Sequence, residues 1–158
     1  MVSRTGWTQN NTVIDINEWG PRITTIKDEL PKIYMEINNT YNPSTRIVNS
    51  AVKCDALMDI SGTYKICAYL TEDSIVKPQQ NNTTIIYDYV HRHVLRGSLN
   101  GTWGDILLTG NTSQNAQFTK NYSMALDTAW SENHCSVVSF IYDAANYEII
   151  QVEEKKVK

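Results

Sequence analysis

The chain has 158 residues, 41% of them hydrophobic and 20% charged, a globular balance slightly poor in charge. A net charge of −3, with basic residues scattered apart from the short Lys155-Lys156-Val157-Lys158 tail, excludes the electrostatic footprint of a nucleic-acid binder. No run approaches the ~18 apolar residues that a membrane helix needs, and Met1-Val2-Ser3-Arg4 leads into polar residues rather than the apolar core of a leader.

Two readings of that start stay open: a cytosolic protein, or a piece whose targeting segment lies upstream. The abundance of Asn and Thr, and the lack of long runs of Ala, Glu, Leu and Lys, favour the second.

A linker is expected over 1–18. Trp19, Ile23, Ile26 and Leu30 then recur at helical spacing, Pro21 suits a first turn and Pro31 stops the run, so a short helix is predicted over 19–30. Beyond Pro31 the period falls to two. Ile33, Met35 and Ile37 alternate with Tyr34, Glu36 and Asn38, and Asn42-Pro43-Ser44 turns the chain. Val48, Ser50, Val52, Cys54 and Ala56 share one face of the next strand. After Ser61-Gly62, Tyr64, Ile66, Ala68 and Leu70 share one face of a third, with Lys65 and Cys67 opposite.

Residues 76–86 read as a polar loop. Further strands are expected at about 90–99, 116–126, 135–143 and 146–155, with segments 100–104 and 109–113 dense in turn residues. In the last pair Val138, Phe140 and Tyr142 meet Ile150 and Val152 across the turn Asp143-Ala144-Ala145-Asn146. About seven short strands predict a mainly β fold over 19–158, an antiparallel immunoglobulin-like β-sandwich with a short N-terminal helix.

Several groupings bear on chemistry. His91 and His93, two apart in a strand, would share a face and reach one metal ion, with His134 or Asp88 as a third ligand brought by folding. The competing reading has one histidine capping the core and the other in solvent, since zinc takes three or four ligands. His134 and Cys135 are neighbours and point to opposite faces, which leaves only a pairing of Cys135 with His91 or His93 for a dyad. Glu72-Asp73 lacks the spacing of a calcium loop and reads as solvated.

Cys54, Cys67 and Cys135 give an odd count without CxxC spacing and read as small buried hydrophobes. The opposite strand parities of Cys54 and Cys67 argue against a bridge between them. Asn-x-Ser/Thr triplets at Asn10, Asn38, Asn81, Asn82, Asn100, Asn111 and Asn121 follow from a composition rich in Asn and Thr. Trp7, Trp19, Trp103 and Trp130 are widely spaced and form no sugar or base platform in the sequence. Trp103, in a Gly-rich turn, is either an exposed anchor or a ring packed over the end of a sheet. Loops 73–87 and 100–115, with Trp103 and Arg96, are the expected contact region.

Three segments, LTEDSIVKPQ at 70–79, DYVHRHVLRGSLNGTWGDIL at 88–107 and NHCSVVSFIYDAANYEIIQVEEKKV at 133–157, resemble the carboxy-terminal region of a family of Bacteroidetes outer-membrane lipoproteins. The founding member of that family is a twenty-eight-kilodalton surface protein of Porphyromonas, and the likeness runs over roughly residues 19–157. The resemblance implies an immunoglobulin-like sandwich that follows a lipoprotein signal and often a thioredoxin-like domain in family members. Met1 is then an added start or an internal methionine. The resemblance also implies a location at the cell surface, attachment to the membrane only through the lipid anchor of the full-length protein, and no catalytic residues to carry over. O-glycosylation of exported proteins in that phylum, at Asp-Ser/Thr before an apolar residue, would fall on Ser74 and Thr128.

The expectation is therefore a non-catalytic binding or structural module with no cofactor, meeting a surface protein or glycan and no nucleic acid. The alternative from another class is an accessory domain of a thioredoxin-like redox protein. Metal-dependent hydrolysis at His91 and His93 is the third reading.

Overall fold

The computed structural model describes residues 15–158, so the triplet at Asn10, the ring of Trp7 and most of the expected linker lie outside the described residues. A 3₁₀ turn at Ile16–Glu18, capped by the Asp15 carboxylate accepting from the Asn17 amide at 2.9 Å, leads into helix α1 (Trp19–Ile26). The helix ends four residues short of its predicted limit. It buries none of its residues: Trp19, Ile23 and the following Leu30 are all exposed. An eight-residue helix is too short to be stable on its own in water. Thr24 and Thr25 donate back to the Gly20 and Pro21 carbonyls.

The strands are β1 (Ile33–Asn42), β2 (Ile47–Ala56), β3 (Ile60–Glu72), β4 (Ile75–Val76), β5 (Gln79–Asn81), β6 (Thr84–Ile86), β7 (Val90–His91), β8 (Val94–Ser98), β9 (Asp105–Thr112), β10 (Gln117–Ala125), β11 (Cys135–Asp143) and β12 (Ile149–Lys156). They form an antiparallel β-sandwich. One sheet runs β1-β2-β10. The other runs β12-β11-β3, with β8 and β9 both on the far edge of β3. The pairs Glu72–Val94 to Tyr69–Ser98 and Ile66–Asp105 to Ile60–Thr112 make β8 and β9 two halves of one edge strand, interrupted at 99–104. Counted that way, the sandwich has three strand positions in one layer and four in the other.

The core lies where the alternation predicts it. Ile33, Met35 and Ile37 of β1 and Val48, Val52 and Cys54 of β2 meet Ile66 and Leu70 of β3 and Val137 and Ile141 of β11. Each large side chain so buried contributes roughly 1.5–3 kcal/mol of transfer free energy. At one edge, β1 and β12 are tied by side chains. Asn39 Nδ2 donates to the Lys155 and Lys156 carbonyls at 3.0 Å each, and Gln151 Nε2 donates to the Ile33 carbonyl at 3.2 Å.

Three expectations are corrected. The turn-dense segment 109–113 hides most of the second half of β9, which is a strand from Asp105 to Thr112. Residues 76–86 are not a loop: β4–β7 and β5–β6 form an arm that prolongs the β3–β8 hairpin, with Ile75 paired to His91 three residues beyond the Glu72–Val94 pair. The strand expected at 90–99 is broken at Arg92-His93, where His93 adopts φ +50°. A non-glycine residue is uncommon in that region, and with Ser74 at φ +61° across from it the arm is kinked at its root.

Candidate functional site

Since β3 turns Tyr64, Ile66, Ala68 and Leu70 inward, its opposite parity (Lys65, Cys67, Tyr69) covers the outer face of the larger sheet. The pairing of Cys67 with Phe140 and of Lys65 with Tyr142 puts both of those aromatic rings on the same outer face. The inward residues of β11 are Val137, Ser139 and Ile141, so the expected meeting of Val138, Phe140 and Tyr142 with Val152 takes place outside the core. Phe140 does pair with Val152, which is exposed, whereas Ile150 packs against the core.

The interruption between β8 and β9 lies over this face. There a side chain replaces the missing ladder. Asn100 Oδ1 accepts from the Ala68 amide at 2.9 Å, and its Nδ2 donates to the Ile66 carbonyl at 2.9 Å, within 3.1 Å of Asp105 Oδ2 and of the Tyr122 hydroxyl. Gly104, at φ +64°, closes the loop against β3. A Cβ there would collide with the Ile66 carbonyl oxygen and stand 2.8 Å from Cys67 Sγ.

Two phenols fasten the loop from below: Tyr69 donates to the Thr102 carbonyl at 2.7 Å and Tyr142 to the Trp103 carbonyl at 2.8 Å. The indole of Trp103 is thereby held in place with 62% of the residue exposed. Packing over the end of the sheet, the other reading of this ring, does not describe it.

The β11–β12 turn brings a second ring. Tyr147, at φ +60°, stacks on Tyr142 with an interplanar angle of 12° and centroids 6.0 Å apart, and is tilted 59° to Trp103 at 6.1 Å. Strain of this kind, of order 1–3 kcal/mol, clusters at binding sites. Trp103, Tyr147, Tyr142, Ala144 and Lys65 line a shallow cleft of about 260 Å³. The aromatic series continues beneath it through Phe140 to Tyr69, with centroid distances of 6.3 and 5.5 Å. The sequence places Lys65 and Tyr142 on strand faces without marking them as site residues, and nothing in it points to Tyr147. The signal that would have found them is the aromatic parity of β11 opposite the aliphatic one.

Arg96 is elsewhere and is committed to the fold. Its Nε stands 2.7 Å from Glu72 Oε2, and its guanidinium lies 5.6 Å over the ring of Trp130. Glu72 is buried, and its other oxygen accepts from the Ser131 amide at 2.8 Å. Alongside, Arg46 pairs with Glu132 at 3.2 Å and donates to the Trp130 and Asp127 carbonyls. The Glu132 carboxyl is held below the usual carboxylate range, first by its own backbone amide and then by Arg46. These contacts fasten segment 126–134 to the sheet.

His91 and His93 do not share a strand face. His91 Nε2 is 3.2 Å from the Lys77 carbonyl and its ring meets Tyr89 edge-on, within the arm. His93 lies at the root, its two ring nitrogens turned to different carboxylates: Nδ1 to Asp73 at 3.6 Å and Nε2 to Glu154 at 3.4 Å. Among the described residues, no three His, Cys, Asp or Glu side chains are arranged to hold one metal ion. His134 is exposed while Cys135 is buried.

Ser74 and Thr128 are both exposed, Ser74 at the kink of the arm and Thr128 in a turn where Asp127 Oδ1 accepts from the Ala129 amide. The three thiols are reduced and buried. Burial, and then the neighbouring Asp55, pushes the Cys54 thiol up to about 12. Burial, and then Glu72, pushes Cys135 to about 11. Such thiols are protonated at neutral pH and poor nucleophiles. The arm itself exposes Val76, Ile85, Tyr87, Tyr89 and Val90.

A family model described as outer membrane protein Omp28 matches residues 4–158. Among solved structures, the chain is similar to a domain of the outer membrane lipoprotein Omp28 from Porphyromonas gingivalis. The TM-score is 0.59 and the identity 21%, over 82% of this chain and 91% of that one. It is also similar to Spo0M, a sporulation control protein from Bacillus subtilis, with a TM-score of 0.48 and 13% identity over 82% of this chain and 49% of that one. At such identities the likeness speaks for the fold, and the second is too distant to carry an argument. No curated protein matches the chain.

Proposed function

The chain belongs to the Omp28 family of outer membrane proteins, and from that premise we propose that it is a non-catalytic recognition module displayed at the outer-membrane surface, tethered by the lipid of its full-length form. Membership puts the protein outside the cytoplasm, at the outer membrane. The observation that carries the recognition role is Trp103. A large apolar ring exposed to water on a loop held by two tyrosine hydroxyls and a side-chain ladder is pre-organised for contact. Exposed aromatics on rigid loops are the usual anchors of binding surfaces.

The reading is tested by presenting the purified protein and its Trp103→Ala variant to arrays of glycans and surface proteins. Ligands retained by the parent and lost by the variant are expected. Identical profiles would remove Trp103 from recognition.

A further inference from the structure

We infer that the Trp103–Tyr147 cleft binds a pyranose residue bearing an acidic group, the sugar ring stacking on the aromatic walls and its carboxylate or sulfate meeting Lys65. This rests on the recognition reading above and names the ligand class for the same site. The two rings, 59° apart, form a V that offers one flat face to the C–H side of a sugar and a second face to its edge. Tyr142, 3% exposed and stacked under Tyr147, lies beneath the cleft, and Ala144 lines its side.

A peptide fits this cleft less well. Extended chains dock through main-chain partners, and four main-chain groups around this cleft are already engaged. The Thr102 and Trp103 carbonyls accept from Tyr69 and Tyr142, the Ala144 amide donates to the Thr63 carbonyl, and the Tyr147 amide donates to Asp143. What remains on the wall is a cation. Lys65 projects from the outer parity of β3 beside Tyr142. The carboxylates flanking the turn are engaged within it: Asp143 Oδ1 accepts from the Ala145 amide at 2.8 Å and Glu148 Oε2 from Asn146 Nδ2 at 3.4 Å. An ammonium at the rim of an aromatic cleft selects an anion.

The test is titration of the whole protein with trigalacturonate, sialyllactose and a chondroitin sulfate tetrasaccharide, against galactotriose and lactose. Calorimetry and the indole N–H resonance of Trp103 are the readouts. At least one acidic sugar should bind and shift that resonance. Trp103→Ala and Tyr147→Ala should each weaken binding about tenfold or more, and Lys65→Met should abolish the preference for acidic over neutral sugars. Unchanged thermal unfolding of Lys65→Met certifies that its loss is local. Equal binding of neutral and acidic sugars would overturn the role of Lys65. Trp103-dependent binding of members of a proline-rich peptide library, with no sugar bound, would overturn the glycan inference and leave the recognition reading standing. No Trp103-dependent ligand in either set would overturn both.

Discussion

Asn100 substitutes for a strand: its amide bonds the Ile66 carbonyl at 2.9 Å where β8 has ended and β9 has not begun. With the Ala68 amide bonded to the same side chain, the middle of β3 keeps its edge satisfied while the chain loops outward to carry Trp103. The side chain is thus occupied, and the Asn-x-Thr triplet that begins at Asn100 is a structural feature of the loop.

Asn100→Ala should destabilise the fold by about 1–3 kcal/mol, because it leaves two backbone groups of β3 without partners. The shift in the urea midpoint measures this, and a shift within error of zero would show that water replaces the amide freely.

Gly104→Ala should be comparably costly, about 1–3 kcal/mol or more, and should alter the setting of Trp103. Both the positive φ and the approach to the Ile66 carbonyl exclude a Cβ. Amide chemical shifts across 100–104, compared with those of the core strands, separate local rearrangement from global loss.

The pair of buried Glu72 and half-buried Arg96 should behave asymmetrically. Arg96→Met strands a carboxylate that is 5% exposed and should cost about 3–5 kcal/mol, whereas the double variant Arg96→Met with Glu72→Gln should recover much of that. Equal losses in the single and double variants would show that the packing of Arg96 over Trp130 matters more than the charge.

Asp73 gives a pH dependence with a definite sign. Its carboxyl is held below the ordinary value, first by the His93 backbone amide and next by Lys156. A carboxyl depressed in the folded state contributes stability that is complete well above the unfolded value of about 3.9. That stability is lost as the pH falls through the lower folded value. Asp73→Asn should therefore flatten the acid limb of a stability–pH profile from the ordinary carboxylate value downward. An unchanged limb would assign acid sensitivity to other carboxylates.

Cys54 and Cys135 should be silent in the native protein. With Cys54 at about 12 and Cys135 at about 11, a thiol reagent at mildly alkaline pH should label neither until denaturant is added. Rapid labelling without denaturant would mean that the sandwich opens locally, and would revive a redox role.

How far the sequence could be read depends on how one-sided each strand is. In β1, β2 and β3 apolar residues fall on one parity against polar ones on the other, so the faces and the pairing of neighbours follow from the period of two. Strand β9 defeated that reading because Thr109, Gly110 and Asn111 are turn formers, Gly110 keeping φ +77°, and β3 alone holds them in the ladder. The tertiary partner overrides the local preference. The break at His93 was equally hidden, since no Gly or Pro marks it, and the pairing of its amide with Asp73 across the hairpin holds the bend.

Period and composition determined the class of fold, the inward faces of the first three strands and the opposite faces of Cys54 and Cys67. β11 is the opposite case, apolar on both parities: Val137 and Ile141 on one, Val138, Phe140 and Tyr142 on the other. Only the assembled sheet decided between them, because pairing with β3 fixes which set faces the core. The other set then becomes a surface that the 99–104 loop and Tyr147 cover in part. The cleft beside Trp103 exists for that reason. Its walls come from three separate stretches of chain, and no one of them carries the pattern alone.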